Sequence, residues 1–144
     1  MFQNDYLMRM ILQMVMVMQR ALQETQRNPG KTAQEIEAAI GDAVDIDAGL
    51  FFSLEPESMV SMLQLGNFDE RLGGYVLRSI YYEAELLEEA GHIQRADLRR
   101  AQADAVAKAY GYDIAPDERS PEAMRTYFLE AEAQARAERD GAAG

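Results

Sequence analysis

The feature that most constrains the fold is the stretch over residues 8–18, MRMILQMVMVM, in which apolar residues occupy nearly every side of a helix. A helix that covers one side of a small domain shows one apolar stripe and a polar back. After Arg9 this stretch contains a single polar residue, Gln13. The pattern therefore predicts a first helix, over about residues 4–27, that must be covered on two faces.

Three arrangements would cover both faces of this helix. The second helix and the rest of the chain would bury it, the same helix of a second copy would pack on it in a homodimer, or it would line a groove for a lipid or a partner. Methionine is unbranched and suits irregular cores and promiscuous binding surfaces alike. The candidate interface residues for the homodimer are Met8, Leu12, Met14, Val15 and Met18.

The opening helix does not match a membrane span or a signal peptide. A spanning helix needs about 20 apolar residues, whereas Arg9 and Arg20 bracket a shorter run that contains Gln13. A signal peptide has a basic start and a small-residue cleavage site, but here Asp5 comes early and no such site follows. We therefore expect a cytoplasmic protein with no membrane partner.

The charge of the chain is strongly negative and unevenly distributed. The formal net charge is −11 over 144 residues, and residues 32–70 contain nine acidic residues with neither Lys nor Arg. Such a surface repels phosphate backbones, so we expect no nucleic-acid partner. It either attracts basic partners or keeps the domain in solution. The length suits one domain, predicted over residues 1–139 with a frayed tail at 140–144.

Few residues are available for catalysis or metal binding. The chain has no cysteine and one histidine, His92, which excludes disulfides, cysteine zinc sites and histidine pairs. The carboxylates Asp42, Asp45 and Asp47 do not follow a calcium-binding loop, because Leu50 stands where that loop requires glycine. We interpret them as a solvated acidic face. The spacing predicts no enzyme, no cofactor and no metal site.

The remaining pattern predicts an all-α fold of five or six helices in antiparallel hairpins. Residues 28–30, Asn-Pro-Gly, end the first helix, and Thr32 with Glu35 is typical of a capping box that opens the second. Residues 48–52 are predicted to be a loop with an apolar plug. Later helices are predicted over about residues 55–65, 67–90 and 93–110 and from residue 121 onward, and the Gly73-Gly74 pair weakens the start of the 67–90 helix.

Tyrosines recur in the second half of the chain, and three are candidates for a ligand-facing groove: Tyr75, Tyr81 and Tyr82. Tyrosines also pack half-buried between helices with their hydroxyls in water. Both interpretations fit the sequence.

The second half resembles a tetratricopeptide repeat, a helix–turn–helix unit of about 34 residues. Gly91 falls at the turn, and small or apolar consensus positions are matched by Ala84, Leu87, Ala96 and Ala103. The chain departs from the repeat at Glu83, where the repeat has Leu, and at Arg100, where it has an aromatic residue. The resemblance implies a tetratricopeptide-like pair over about residues 75–110.

The opening MFQNDYLMRMI is similar to the start of a family of short bacterial tetratricopeptide-like helical proteins that open MFQ-x-DYLMR. This resemblance implies an all-α fold and brings no activity or site residues. Together, these features predict a non-enzymatic protein-interaction or scaffold module that self-associates through the Met-rich first helix. The alternative is a small-molecule or lipid carrier that uses the Met-rich interior.

Overall fold

The computed structural model describes residues 2–24 and 28–143, and this part of the chain is all-helical without strands. It contains seven α-helices: α1 (Phe2–Gln23), α2 (Pro29–Val44), α3 (Ala48–Ser53), α4 (Pro56–Leu65), α5 (Gly73–Glu89), α6 (Ile93–Tyr110) and α7 (Pro121–Ala143). Two 3-10 helices precede α5 and α7, at Glu70–Leu72 and Pro116–Arg119. The all-α class is confirmed, and the described residues contain more helices than the five or six predicted.

The additional helix is α3, in the stretch predicted to be a loop. Asp47 is its N-cap, and its carboxylate accepts a hydrogen bond from the backbone N–H of Leu50 at 3.0 Å. Phe51 and Phe52 are buried, whereas Leu50 is exposed. The apolar plug is therefore real, but a capped helix rather than a loop carries it, because an Asp N-cap satisfies the free amides of the first turn.

The second helix begins earlier than the capping-box pattern predicts. Asn28 is its N-cap, with its side chain accepting from the backbone N–H of Lys31 at 3.2 Å, and Pro29 occupies the first turn. Thr32 lies inside the helix, where its hydroxyl donates to Glu24 at 3.0 Å. The prediction of Thr32 as N-cap is wrong, because Asn-Pro provides the cap and the first helical residue one turn earlier.

The helices pack as an array in which α1 is covered on two sides by its own chain. Helix α1 contacts α2 on one side and α7 on the other, and it also reaches α5. Helix α2 then packs on α5, α5 on α6 and α6 on α4, while α3 rests on α2. The C-terminal helix thus covers the face of α1 that α2 leaves open. It continues to Ala143, so the predicted frayed tail is helical up to that residue.

The glycine pair at the start of α5 makes room for two tyrosines. A Cβ atom on Gly73 would lie 2.6 Å from the ring of Tyr112, and one on Gly74 would lie 3.0 Å from the hydroxyl of Tyr127. The Tyr112 hydroxyl donates to the carbonyl oxygen of Glu70 at 2.9 Å. Helix propensity is lost at these positions, and close packing of the two rings is gained.

Helices α5 and α6 form an antiparallel hairpin over the stretch that resembles a repeat. Gly91 adopts a φ of 90°, a left-handed conformation that glycine reaches without strain. The backbone N–H of His92 then donates to the carbonyl oxygen of Leu87 at 2.8 Å, which closes the C-terminus of α5. The turn glycine is therefore where the sequence predicts it.

Candidate functional site

Three of the five candidate interface residues on α1 lie in the core of the chain itself. Met14 is 1% exposed, and Val15 and Met18 have no exposed surface. A buried side chain has no area to offer a second copy, so these three residues stabilise the fold in this structure. Met8 and Leu12 are partly buried and line a surface groove of about 490 Å³ beside α7.

The accessible side of α1 is narrow and mixed in character. Met16 is 52% exposed and Tyr6 is 45% exposed. The exposed residues between them on the helical wheel are polar: Arg9, Gln13 and Arg20. Arg9 directly precedes the run of residues 10–18 and Arg20 lies two residues after it, and they give the helix the polar back that the run itself lacks.

The candidate groove tyrosines do not line a common groove. Tyr81 and Tyr82 are 4% and 3% exposed, and Tyr75 is half-buried. The Tyr81 hydroxyl donates to Asp104 Oδ1 at 2.6 Å, and the Arg119 guanidinium lies 3.9 Å from the centre of its ring. Tyr81 and Tyr82 are therefore packed inside the protein and do not form an open aromatic wall.

A cluster of charged side chains is buried where α2, α5 and α6 meet. Arg99 on α6 is 4% exposed, and Glu83 on α5 has no exposed surface. Arg99 Nε donates to Glu83 Oε2 at 3.1 Å, and Arg99 Nη2 donates to Oε1 of Glu37 on α2 at 2.8 Å. A single guanidinium therefore links three helices.

The same cluster fixes the connection between α3 and α4. Arg99 Nη1 donates to the carbonyl oxygen of Phe52 at 3.0 Å and to Gln102 Oε1 at 3.2 Å. Gln102 Nε2 in turn donates to the carbonyl oxygens of Phe52 at 3.2 Å and Leu54 at 2.7 Å. Carbonyl groups at the end of a buried helix need such partners, so α6 anchors the α3–α4 connection.

The two carboxyl groups of the cluster carry different protonation states. Burial, the hydrogen bond to Glu37 and its negative charge raise the pKa of Glu83 to about 10, against the opposing effect of Arg99. Burial also acts to raise the pKa of Glu37, but hydrogen bonds from Glu83 and Arg99 and the charges of Arg99 and Arg95 outweigh it, and the pKa falls. Glu83 is therefore a neutral acid at pH 7 and Glu37 a carboxylate.

The free oxygen of Glu83 agrees with this assignment. Glu83 Oε1 is buried and has no hydrogen-bond partner among the described residues, which costs less free energy for a neutral carboxyl group than for a carboxylate. The members of the cluster form hydrogen bonds with one another and with backbone carbonyl groups inside the protein. The arrangement holds α2, α5 and α6 together. Glu83 drew attention in the sequence only as a departure from the repeat pattern.

The surface around the turn between α2 and α3 carries two adjoining grooves. The first, of about 660 Å³, contains three carboxylates, which we call the acidic turn: Asp42, Asp45 and Asp47. The second, of about 540 Å³, runs between the end of α2 and α4 and is mainly apolar. We call it the apolar groove; the residues that characterise it are Ile46, Leu54, Ser61, Met62 and Leu65. Asp45 and Ile46 line both grooves.

The backbone holds the acidic turn in a tight conformation. Asp45 ends α2 with a φ of 59°, and its N–H donates to the carbonyl oxygen of Gly41, which also accepts from Ile46 at 3.1 Å. A Cβ atom on Gly41 would lie 2.9 Å from Cβ of Ala48 at the start of α3. Because α3 packs this closely on α2, the three carboxylates keep a fixed position relative to the apolar groove.

The charge of this surface is of one sign. The residues that line the two grooves include no Lys or Arg. All the Asp, Glu, Lys and Arg residues within 32–70 are acidic. Within the apolar groove, Leu65 is 89% exposed. An apolar depression with a strongly exposed leucine thus lies directly beside the carboxylates of the acidic turn.

In residues 2–24 and 28–143 no group of three or more His, Asp or Glu side chains is arranged to hold a metal ion. The acidic turn is included in that result. Over the same residues, no helix combines the length and apolar character that crossing a membrane requires.

A scan against protein-family models, a search of curated proteins and a search of solved structures each return no match to this chain. The similarity of the opening MFQNDYLMRMI to a bacterial family therefore stays a prediction.

Proposed function

We propose that this protein is a non-enzymatic protein-interaction module that binds its partner on the face formed by α2, α3 and α4. The observation that carries the proposal is the apolar groove, where Leu65 is 89% exposed beside the acidic turn. Exposed apolar patches rimmed by polar residues are typical of protein–protein contact sites. The fixed backbone of the acidic turn adds preorganisation, which reduces the cost of binding.

The proposal includes a tetratricopeptide-like arrangement of hairpins in a cytoplasmic protein. Helices α5 and α6 form a hairpin with glycine at the turn, and α2 and α4 pack on either side of it. Stacked helical hairpins present extended surfaces on which partners bind. Their cores need no catalytic groups, and the inward-directed cluster around Arg99 is consistent with a purely structural use of buried charge.

Self-association through α1 is the second candidate, with a homodimer as its product. Its support is the exposed Met16, together with Met8 and Leu12 in the groove beside α7. Met14 and Met18 are buried in the core and cannot take part in such a contact. The carrier alternative has less support, because the methionines of the interior pack in the hydrophobic core.

Affinity capture with three forms of the protein tests the proposal. The wild type is compared with the double variant Ser61→Arg, Leu65→Asp, which alters two exposed positions of the apolar groove, and with Met16→Asp on α1. Circular dichroism establishes that each form is folded. We expect at least one protein to be retained by the wild type and by Met16→Asp and lost from the groove variant.

Two other results would contradict this placement of the binding face. If the captured proteins are the same for all three forms, the apolar groove is not the docking site. If capture is lost only with Met16→Asp, α1 provides the contact and the second candidate replaces the first.

A further inference from the structure

We infer that the partner of this face is a basic amphipathic helix, whose bulky apolar side chains enter the apolar groove and whose Lys or Arg residues contact the acidic turn. This inference rests on the proposed function and specifies the chemistry of the partner.

The acidic turn carries negative charge that its own contacts do not neutralise. Asp42 accepts from the side-chain amide of Gln13 at 3.5 Å, and Asp47 accepts from the backbone N–H of Leu50 at 3.0 Å. Both donors are uncharged. Asp45 is exposed and lines both grooves. A cationic side chain placed beside the turn would therefore approach carboxylates whose hydrogen-bond donors are uncharged, while the apolar part of the same ligand lies in the adjoining groove.

The apolar groove has the size for side chains of a short helix. Its volume of about 540 Å³ lies in the range of pockets that bury a few large apolar groups. Helix α4 along its side has 10 residues, which corresponds to about 15 Å at about 1.5 Å per residue. About three turns of a second helix match that length, and anchors spaced by three or four residues point to one face.

The sign of the charge selects among partners. A nucleic acid or an anionic lipid surface presents phosphates, which the acidic turn repels. A basic peptide gains electrostatic attraction during approach and apolar burial on contact. The combination of one charge sign and one apolar depression thus favours a protein segment with cationic and apolar residues on adjacent faces.

The inference is tested with designed peptides and fluorescence anisotropy on the full chain. The probe is a fluorescein-labelled helix of about four turns with leucines at helical spacing on one face and lysines elsewhere. Two matched probes replace the lysines by glutamates or the leucines by serines. We expect the Leu/Lys probe to bind and the other two to bind at least about tenfold more weakly, since each lacks one of the two contacts.

Variants of the protein locate the contact. The triple variant Asp42→Asn, Asp45→Asn, Asp47→Asn keeps the shapes of the side chains and removes their charge. The matched control, Glu122→Gln, Glu130→Gln, Glu138→Gln, removes the same formal charge from α7. We expect the first variant to weaken binding of the Leu/Lys probe about tenfold and to reduce its salt dependence, and the control to have a smaller effect. The groove variant Ser61→Arg, Leu65→Asp should weaken binding at least as much.

Several outcomes would overturn the inference. Equal binding of the Glu and Lys probes would show that charge does not contribute to recognition. Equal effects of the two triple variants would show that the attraction comes from the net charge of the whole protein and not from the acidic turn. If no probe binds, the partner is not a basic amphipathic helix. In that case capture of a natural partner that depends on Leu65 would still support the proposed function. If no such partner is captured either, both the inference and the proposed function are contradicted.

Discussion

Arg99 and Glu83 face each other across the interface of α5 and α6, with Arg99 Nε 3.1 Å from Glu83 Oε2 and both side chains withdrawn from solvent. Taking charged groups out of water costs several kcal/mol per ion, and their attraction returns it only where the geometry is complete. Here a neutral Glu83 reduces that cost, and Glu37 provides the counter-charge for Arg99. Together with Glu37, the pair therefore fixes how α2, α5 and α6 pack against one another.

Replacing Arg99 by Leu should destabilise the protein by about 3–5 kcal/mol, because Glu37 Oε1 loses the donor Arg99 Nη2 and the buried Glu83 Oε2 loses the donor Arg99 Nε. Urea unfolding followed by circular dichroism measures the change. Arg100→Leu is the matched control, since Arg100 pairs with Glu88 at the surface and such pairs contribute about 0–1 kcal/mol. Equal losses in the two variants would remove the special role of Arg99.

Glu83→Gln should flatten the dependence of stability on pH. The pKa of Glu83 is raised to about 10 in the folded protein from an ordinary 4.5, so above about pH 4.5 the folded state keeps a proton that the unfolded state releases. The free energy of unfolding therefore falls as the pH rises toward the folded pKa. Glutamine stays neutral and can still donate to Glu37 and accept from Arg99.

Urea unfolding at about pH 6 and about pH 9 measures this effect. The wild type should lose stability between the two, and Glu83→Gln should lose less. Glu130→Gln on the exposed side of α7 is the control and should follow the wild type. A profile for Glu83→Gln that matches the wild type would mean that Glu83 is ionised in the folded protein.

Gly73→Ala should destabilise the protein although alanine is the better helix former. A Cβ atom at this position would lie 2.6 Å from the ring of Tyr112, and overpacking of this kind costs about 1–3 kcal/mol. The control is Gly141→Ala in α7, where nothing lies within 4 Å of the added atom and helix propensity favours alanine. Thermal unfolding should shift down for the first variant and not for the second; a rise for both would show that Tyr112 moves aside freely.

Met16→Asp should leave stability nearly unchanged, because Met16 is 52% exposed and surface changes usually stay within about 0.5 kcal/mol. Its effect on the solution mass separates the two candidate functions. Light scattering should give the same mass for the wild type and the variant if the groove on α2 and α4 is the binding face. A wild-type dimer that dissociates in Met16→Asp would instead support self-association through α1.

Local signals in the sequence were sufficient for much of the secondary structure. The apolar run predicted α1 and its two buried faces, Gly91 marked the turn between α5 and α6, and the last helix, predicted from residue 121 onward, begins at Pro121. These features act within about one helical turn, through caps and backbone preferences. Prediction failed where two local signals competed: Asn28 rather than Thr32 caps α2, and the Asp47 cap turned a predicted loop into α3.

What the sequence alone determined was the helical class and the need to cover α1 twice. Which surfaces meet was decided by the tertiary structure: α2, α5 and α7 all pack on α1, and Met14 and Met18 are buried in the core, where a second copy cannot contact them. The pairing of Glu83 with Arg99 likewise depends on contacts between residues on different helices, since the periodicity of one helix carries no information on its neighbour. The apolar groove beside the acidic turn exists for the same reason: burial is a property of the assembled helices, and only their packing left Leu65 exposed.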